Sequence, residues 1–125
     1  PDMKLPIQYA LAYPRRIVSG FERFKFSDYP TLSFEAPDTN TFPNLGLAYM
    51  ALEKGGTMPC VLNAANEIAV ESFLKDHIGF LQMSEVIEQC LGKCSFIARP
   101  SLDDLYRSDE EARQYAREII KKQIK

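Results

Sequence analysis

The placement of proline constrains this chain most. Of its eight prolines, six (Pro1, Pro6, Pro14, Pro30, Pro37 and Pro43) fall in the first 43 of 125 residues. Each removes a backbone donor and fixes φ, so neither a long helix nor a central strand can run through that region. Short pieces remain. Residues 6–13, PIQYALAY, suit a short helix with Pro6 in its first turn and Pro14 as its stop. Residues 31–36, TLSFEA, alternate Leu32 and Phe34 with Ser33 and Glu35, the period of a short strand covered on one face. Phe21, Phe24 and Phe26 follow no amphipathic period. A stretch this aromatic and this interrupted cannot close a core alone; it reads as an extended arm that needs another surface.

The remainder has helical grammar. Residues 44–54 form a helix stopped by Gly55-Gly56. Thr57 offers the N-cap of a second helix over 58–75, with Pro59 in its first turn and Met58, Val61, Leu62, Ala65, Ile68, Ala69 and Phe73 at helical spacing. Ser84 is placed to cap a third, with Val86, Ile87, Cys90, Leu91 and Cys94 facing inward. Ser101 with Asp104, and Ser108 with Glu111, match the capping-box spacing twice, and a last helix over 109–124 buries Ala112, Tyr115, Ala116, Ile119, Ile120 and Ile124. The expected fold is mainly α: a small four-helix bundle over 43–125, preceded by a Pro-rich arm over 1–42 that carries the short strand.

Composition excludes several functions. The chain is 46% hydrophobic and 26% charged with a net charge of −2, so no basic excess points to nucleic acid. No apolar run reaches the roughly 18 residues a membrane span requires. The three cysteines, Cys60, Cys90 and Cys94, are an odd set without tight spacing, which fits a reducing compartment. Cys90 and Cys94 share a helix face with Val86, Ile87 and Leu91 and read as core rather than as half a metal site. His77 is the single histidine, and Asp2 and Asp38 are isolated acids, so no metal site is expected.

LNAANEIAV, residues 62–70, sets Asn63, Asn66 and Glu67 in an otherwise apolar helix. On a helical wheel Asn66 edges the main apolar face, while Val70 and Leu74 flank Asn63 on a second one, with Glu67 beside them. The amides are expected to satisfy backbone of the irregular arm, and Glu67 to bond a loop N–H or an arginine. A solvated face is the alternative. Catalysis is not expected, since no nucleophile or second acid lies at helical spacing.

Three stretches, PDMKLPIQYALAYPRR, LSFEAPDTNTFPNL and LNAANEIAVESFL, together with the late DEEARQYAREII, closely resemble the C-terminal part of the 1-deoxy-D-xylulose 5-phosphate reductoisomerase family, in the family's order and at about its spacing. The resemblance implies a parent enzyme with an NADPH-binding domain, a central catalytic domain holding Mg2+ or Mn2+, and a C-terminal helical domain. It implies reductive isomerisation to 2-C-methyl-D-erythritol 4-phosphate in non-mevalonate isoprenoid biosynthesis, and a homodimer in the bacterial cytoplasm. On this reading residues 1–42 are the tail of the catalytic domain and a linker, and the chain, which opens without an initiator Met, is a piece of a longer protein. No Gly-rich dinucleotide turn and no family metal ligand falls within it, so the piece alone is expected to bind no cofactor and to be inactive. The PDM turn nominates Pro1, Asp2 and Met3 as neighbours of substrate and nicotinamide, with Pro1 packing on a mobile loop and Met3 giving an apolar surface. The expected partners are the rest of the parent chain and a second copy, joined by arm or strand exchange. The competing reading is a self-standing helical interaction or dimerisation module. It is disfavoured because a free module should not expose Phe21, Phe24, Phe26, Phe34 and Phe42 together.

Overall fold

A computed structural model describes residues 3–123 of the chain. Its regular elements are all helical: α1 (Lys4–Ala12), a short 3-10 turn (Phe26–Asp28), α2 (Pro43–Lys54), α3 (Met58–Leu74), α4 (Phe80–Lys93) and α5 (Leu102–Gln123). The described chain divides into two compact units, the first ending at Ala36 and the second beginning at Pro37.

The first unit has no buried residue among those described. Pro6 sits in the first turn of α1, and the helix ends at Ala12, before a cis Tyr13–Pro14 bond. The aromatic side chains gather on themselves: Phe24 stacks on Tyr29 with centroids 4.9 Å apart and meets Phe26 edge-on at 5.0 Å. The strand expected over 31–36 is absent. A strand is held by a neighbour's N–H and C=O groups, and a six-residue alternation supplies none. Phe34 is 88% exposed and Leu32 57%, so the face meant for covering is open.

The second unit is a four-helix bundle with its own core. It is introduced by a turn in which Asp38 accepts from the Asn40 and Thr41 N–H groups and the Thr41 hydroxyl, at 2.9, 3.1 and 2.5 Å. Pro43 then occupies the first turn of α2. α3 is the hub and packs against α2, α4 and α5. Its inner positions Val61, Ala64, Ala65, Ile68 and Ala69 are buried, and the alanines among them let neighbouring helices approach closely. Met83, Val86, Ile87, Cys90 and Leu91 of α4, and Ala112, Ala116, Ile119 and Ile120 of α5, complete the core. Full burial of a side chain such as Ile87 stabilises by about 1.5–3 kcal/mol. Cys90 and Cys94 are free and buried as core residues; Ile124 lies outside the described residues.

Three helix starts differ from the sequence expectation. Thr57 stands at the N-cap position of α3, but its side chain makes no cap bond. It is fully buried, and its hydroxyl donates to the Ser95 carbonyl (3.3 Å) and accepts the Ile97 N–H (3.1 Å), while its own N–H donates to the Ile97 carbonyl (3.1 Å). The loop between α4 and α5 is thereby stitched to the turn between α2 and α3. α4 starts a turn before Ser84, because extended Gly79 caps it and the Gln82 side chain accepts the Gly79 N–H at 2.6 Å. α5 starts at Leu102, where Ser101 and Asp104 form the expected box: Asp104 N–H donates to Ser101 Oγ (3.2 Å) and Ser101 N–H to Asp104 Oδ2 (2.9 Å). Ser108 is therefore not a cap. It is buried inside one continuous helix, since nothing between Leu102 and Ser108 breaks helical geometry.

Candidate functional site

α3 carries Asn63 and Glu67 one turn apart, and α5 carries Asp109 and Arg113 one turn apart. Residues four apart on a helix share a face. Packing of the two helices brings these pairs together. Arg113 donates through Nε to Asp109 Oδ2 at 2.6 Å and through Nη2 to Glu67 Oε2 at 2.8 Å. The second oxygen of Glu67 accepts from Asn63 Nδ2 at 3.0 Å. The guanidinium is the most enclosed member, its side chain 23% exposed against 54% for Glu67.

Arg113, followed by Asn63, holds the Glu67 carboxyl below the usual glutamate range. Asp109 and then Glu67 raise Arg113 above the usual arginine value. Cys60 lies at the edge of this network, with its Sγ donating to the Leu105 carbonyl at 3.4 Å. Burial pushes its thiol up, the Asp109 charge adds to that, and Arg113 opposes it. The arrangement is a charged clamp between two helices. It has an acceptor-bound guanidinium and a protonated thiol, and it lacks an activated nucleophile.

Of the residues singled out in the sequence, Asn63 and Glu67 are brought together by this clamp, and Asn66 is half-buried beside them on α3. Met3 is exposed at the start of α1, while Pro1 and Asp2 lie outside the described residues. Asp109 and Arg113 were not singled out. Their spacing in SDEEAR was the available signal, since an acid four residues before an arginine pairs with it on a helix. His77 lies beyond the end of α3, where its N–H donates to the Ser72 carbonyl at 2.9 Å. Among the described residues no group of three or more His, Cys, Asp or Glu is placed to hold a metal ion, so these residues do not fit one. No described helix is long and apolar enough to cross a membrane.

Comparison with known proteins sets this geometry in a family. Residues 1–115 match the family model described as the DXP reductoisomerase C-terminal domain. The chain is 55% identical over 120 residues to the 1-deoxy-D-xylulose 5-phosphate reductoisomerase of Bacteroides fragilis, covering 96% of this chain and 31% of that protein. It is 50% identical over 121 residues to that of Acetivibrio thermocellus, covering 97% and 32%. Among solved structures, the Zymomonas mobilis reductoisomerase in complex with NADPH superimposes with a TM-score of 0.85 at 42% identity, over 96% of this chain and 32% of that one. A DOX-P reductoisomerase in complex with NADPH, fosmidomycin and magnesium superimposes with a TM-score of 0.87 at 35% identity, over 97% and 32%. The chain thus spans about a third of the length of the curated relatives it matches. With its helical bundle and nearly its whole length matched, the chain belongs to the DXP reductoisomerase C-terminal domain family.

Proposed function

We propose that this chain is the C-terminal portion of a 1-deoxy-D-xylulose 5-phosphate reductoisomerase. The parent would convert that substrate to 2-C-methyl-D-erythritol 4-phosphate with NADPH and Mg2+ or Mn2+, in isoprenoid biosynthesis in the bacterial cytoplasm. The observation that carries the reading is the continuous family match over residues 1–115 by a chain that covers only 31% of the Bacteroides fragilis enzyme. The first unit supports it, because a segment with no buried residue needs apolar surface from elsewhere.

In this reading residues 1–42 are the end of the catalytic domain and a linker, and 43–125 are the helical domain that buttresses it. Pro1, Asp2 and Met3 lie near substrate and nicotinamide. Glu67, which accepts from Asn63 on its own helix, ties α3 to α5 through Arg113, and Asn63, Asn66 and Glu67 have a structural and not a catalytic role. Residues outside this chain supply the metal ligands and the dinucleotide site, so this piece alone binds neither group and does not turn over. The parent assembles as a homodimer through the first unit. Intact mass spectrometry of protein from the native gene tests the proposal: a mass near three times 14.2 kDa supports it. A mass of 14.2 kDa would instead favour a self-standing helical interaction module.

A further inference from the structure

α2 is apolar on two sides. Ala51 is buried and Leu47 packs on the core. On the opposite side Leu45, Tyr49 and Leu52, four and three residues apart, share one face, and Phe42 stands just before the helix in line with them. These side chains are open: Phe42 is 56% exposed, Tyr49 61% and Leu52 73%. No charged residue occurs anywhere in residues 39–52. The outer faces of the neighbouring helices differ. α4 exposes Glu85, Glu88 and Lys93, and α5 exposes Asp103, Glu110, Arg117 and Lys121. A surface helix is ordinarily polar on its outer side. An uncharged apolar stripe on a bundle that has its own core therefore marks a contact the bundle does not itself make.

We infer that the Phe42–Leu45–Tyr49–Leu52 stripe docks on an apolar, uncharged surface of the parent enzyme that lies outside this chain. The inference rests on the proposed function and names the face through which the helical domain makes its contact. This chain matches 31% of the Bacteroides fragilis enzyme, so most of that protein is left to supply the opposing surface. α2 is the bundle's first helix and begins at Pro43, a few residues after the second unit starts at Pro37. A tether that short holds the preceding chain at an effective concentration on the order of millimolar, so a small apolar contact is enough to dock it. A second copy has no such tether. A stable interface between separate chains takes about 20–30 residues a side, far more than this stripe offers. The opposing surface has to be apolar, because a charge set against these side chains would lose its water and gain no partner.

The test compares the full 125-residue chain with a chimaera in which it replaces the matching third of the Bacteroides fragilis reductoisomerase. Hydroxyl-radical footprinting read by mass spectrometry should find Tyr49 and Leu52 reactive in the isolated chain and at least fivefold protected in the chimaera. Tyr49→Lys and Leu52→Lys should leave the melting temperature of the isolated chain unchanged, because both side chains are open there. In the chimaera the same two variants should raise the rate of limited proteolysis within residues 37–42 at least fivefold, and Gln114→Lys on the exposed side of α5 should not. A chimaera that turns over substrate while Tyr49 and Leu52 stay as reactive as in the isolated chain overturns this inference and leaves the proposed function standing. Protection already present in the isolated chain also overturns it, and protection that grows with concentration there assigns the stripe to a second copy. A folded chimaera without turnover overturns the proposed function, and this inference with it.

Discussion

Gly56 lies where two loops meet, and replacing it with alanine should damage the bundle more than any exposed substitution. Its φ is +56°, which an alanine adopts at a cost of about 1 kcal/mol or slightly more. A Cβ there would lie 2.3 Å from the Ile97 carbonyl oxygen and 2.8 Å from the Phe96 ring. The ring can turn, but the carbonyl is backbone and must move. Moving it strains the bonds between Thr57 and the 95–97 segment, three in number. Losing two of them removes about 2 kcal/mol. The expected loss is therefore about 3–4 kcal/mol, a large share of the stability of a domain this size. In thermal melts followed by far-UV circular dichroism, that corresponds to a fall of roughly 15–25 °C. Gly92→Ala is the control, because nothing lies within 4 Å of its added Cβ and the residue is inside α4. It should be neutral or stabilising by about 0.5–1 kcal/mol. If Gly56→Ala cost no more than about 1 kcal/mol, the turn would not be clamped by the loop and the reasoning would fail.

Other outcomes follow from the same geometry. Ser101→Ala should cost about 1 kcal/mol in chemical denaturation while Ser108→Ala stays near neutral; equal losses would mean two capped helices instead of one. Glu67 has a folded-state pKa below its unfolded value, so its contribution is full near neutral pH and disappears as pH falls through the folded value. Glu67→Gln should flatten the acid limb of the stability–pH curve, and an unchanged limb would refute the clamp. Asn63→Ala should cost about 0.5 kcal/mol or less, because the side chain is exposed and its bond runs to another exposed group. Burial raises Cys90 to about 11 and Cys94 to about 12, so both should resist alkylation in the folded chain at mildly alkaline pH. Their contribution to stability is full below the ordinary thiol value of 9.0 and lost as pH rises through about 11–12, which alkaline denaturation should register.

What could be read from sequence was local. The inner face of α3 follows from a 3.6-residue period, and the start of α5 from serine and aspartate three residues apart. What could not be read depended on distant partners. Thr57 looks like a cap because threonine often is one, yet its hydroxyl is engaged by Ser95 and Ile97, some 40 residues on. Ser108 matched a capping pattern that short polar segments meet by chance, and only a continuous α5 exposes the coincidence. The Leu32–Phe34 alternation promised a strand, but strand formation depends on a neighbour that a short window cannot supply. The clamp was half legible: Asp109 and Arg113 pair within one helix, whereas the link to Glu67 spans 46 residues and arises only from packing. The apolar excess of the first unit was legible throughout, because four phenylalanines among prolines have no amphipathic face to share.

The most direct test of the central claim is a graft. The matching C-terminal third of the Bacteroides fragilis reductoisomerase is replaced by this chain, and NADPH oxidation is followed with 1-deoxy-D-xylulose 5-phosphate and Mg2+. The account predicts that the graft turns over substrate and that this chain alone, under the same conditions, does not. A graft that folds and dimerises like its parent yet shows no turnover, or steady oxidation by the isolated chain, would contradict it.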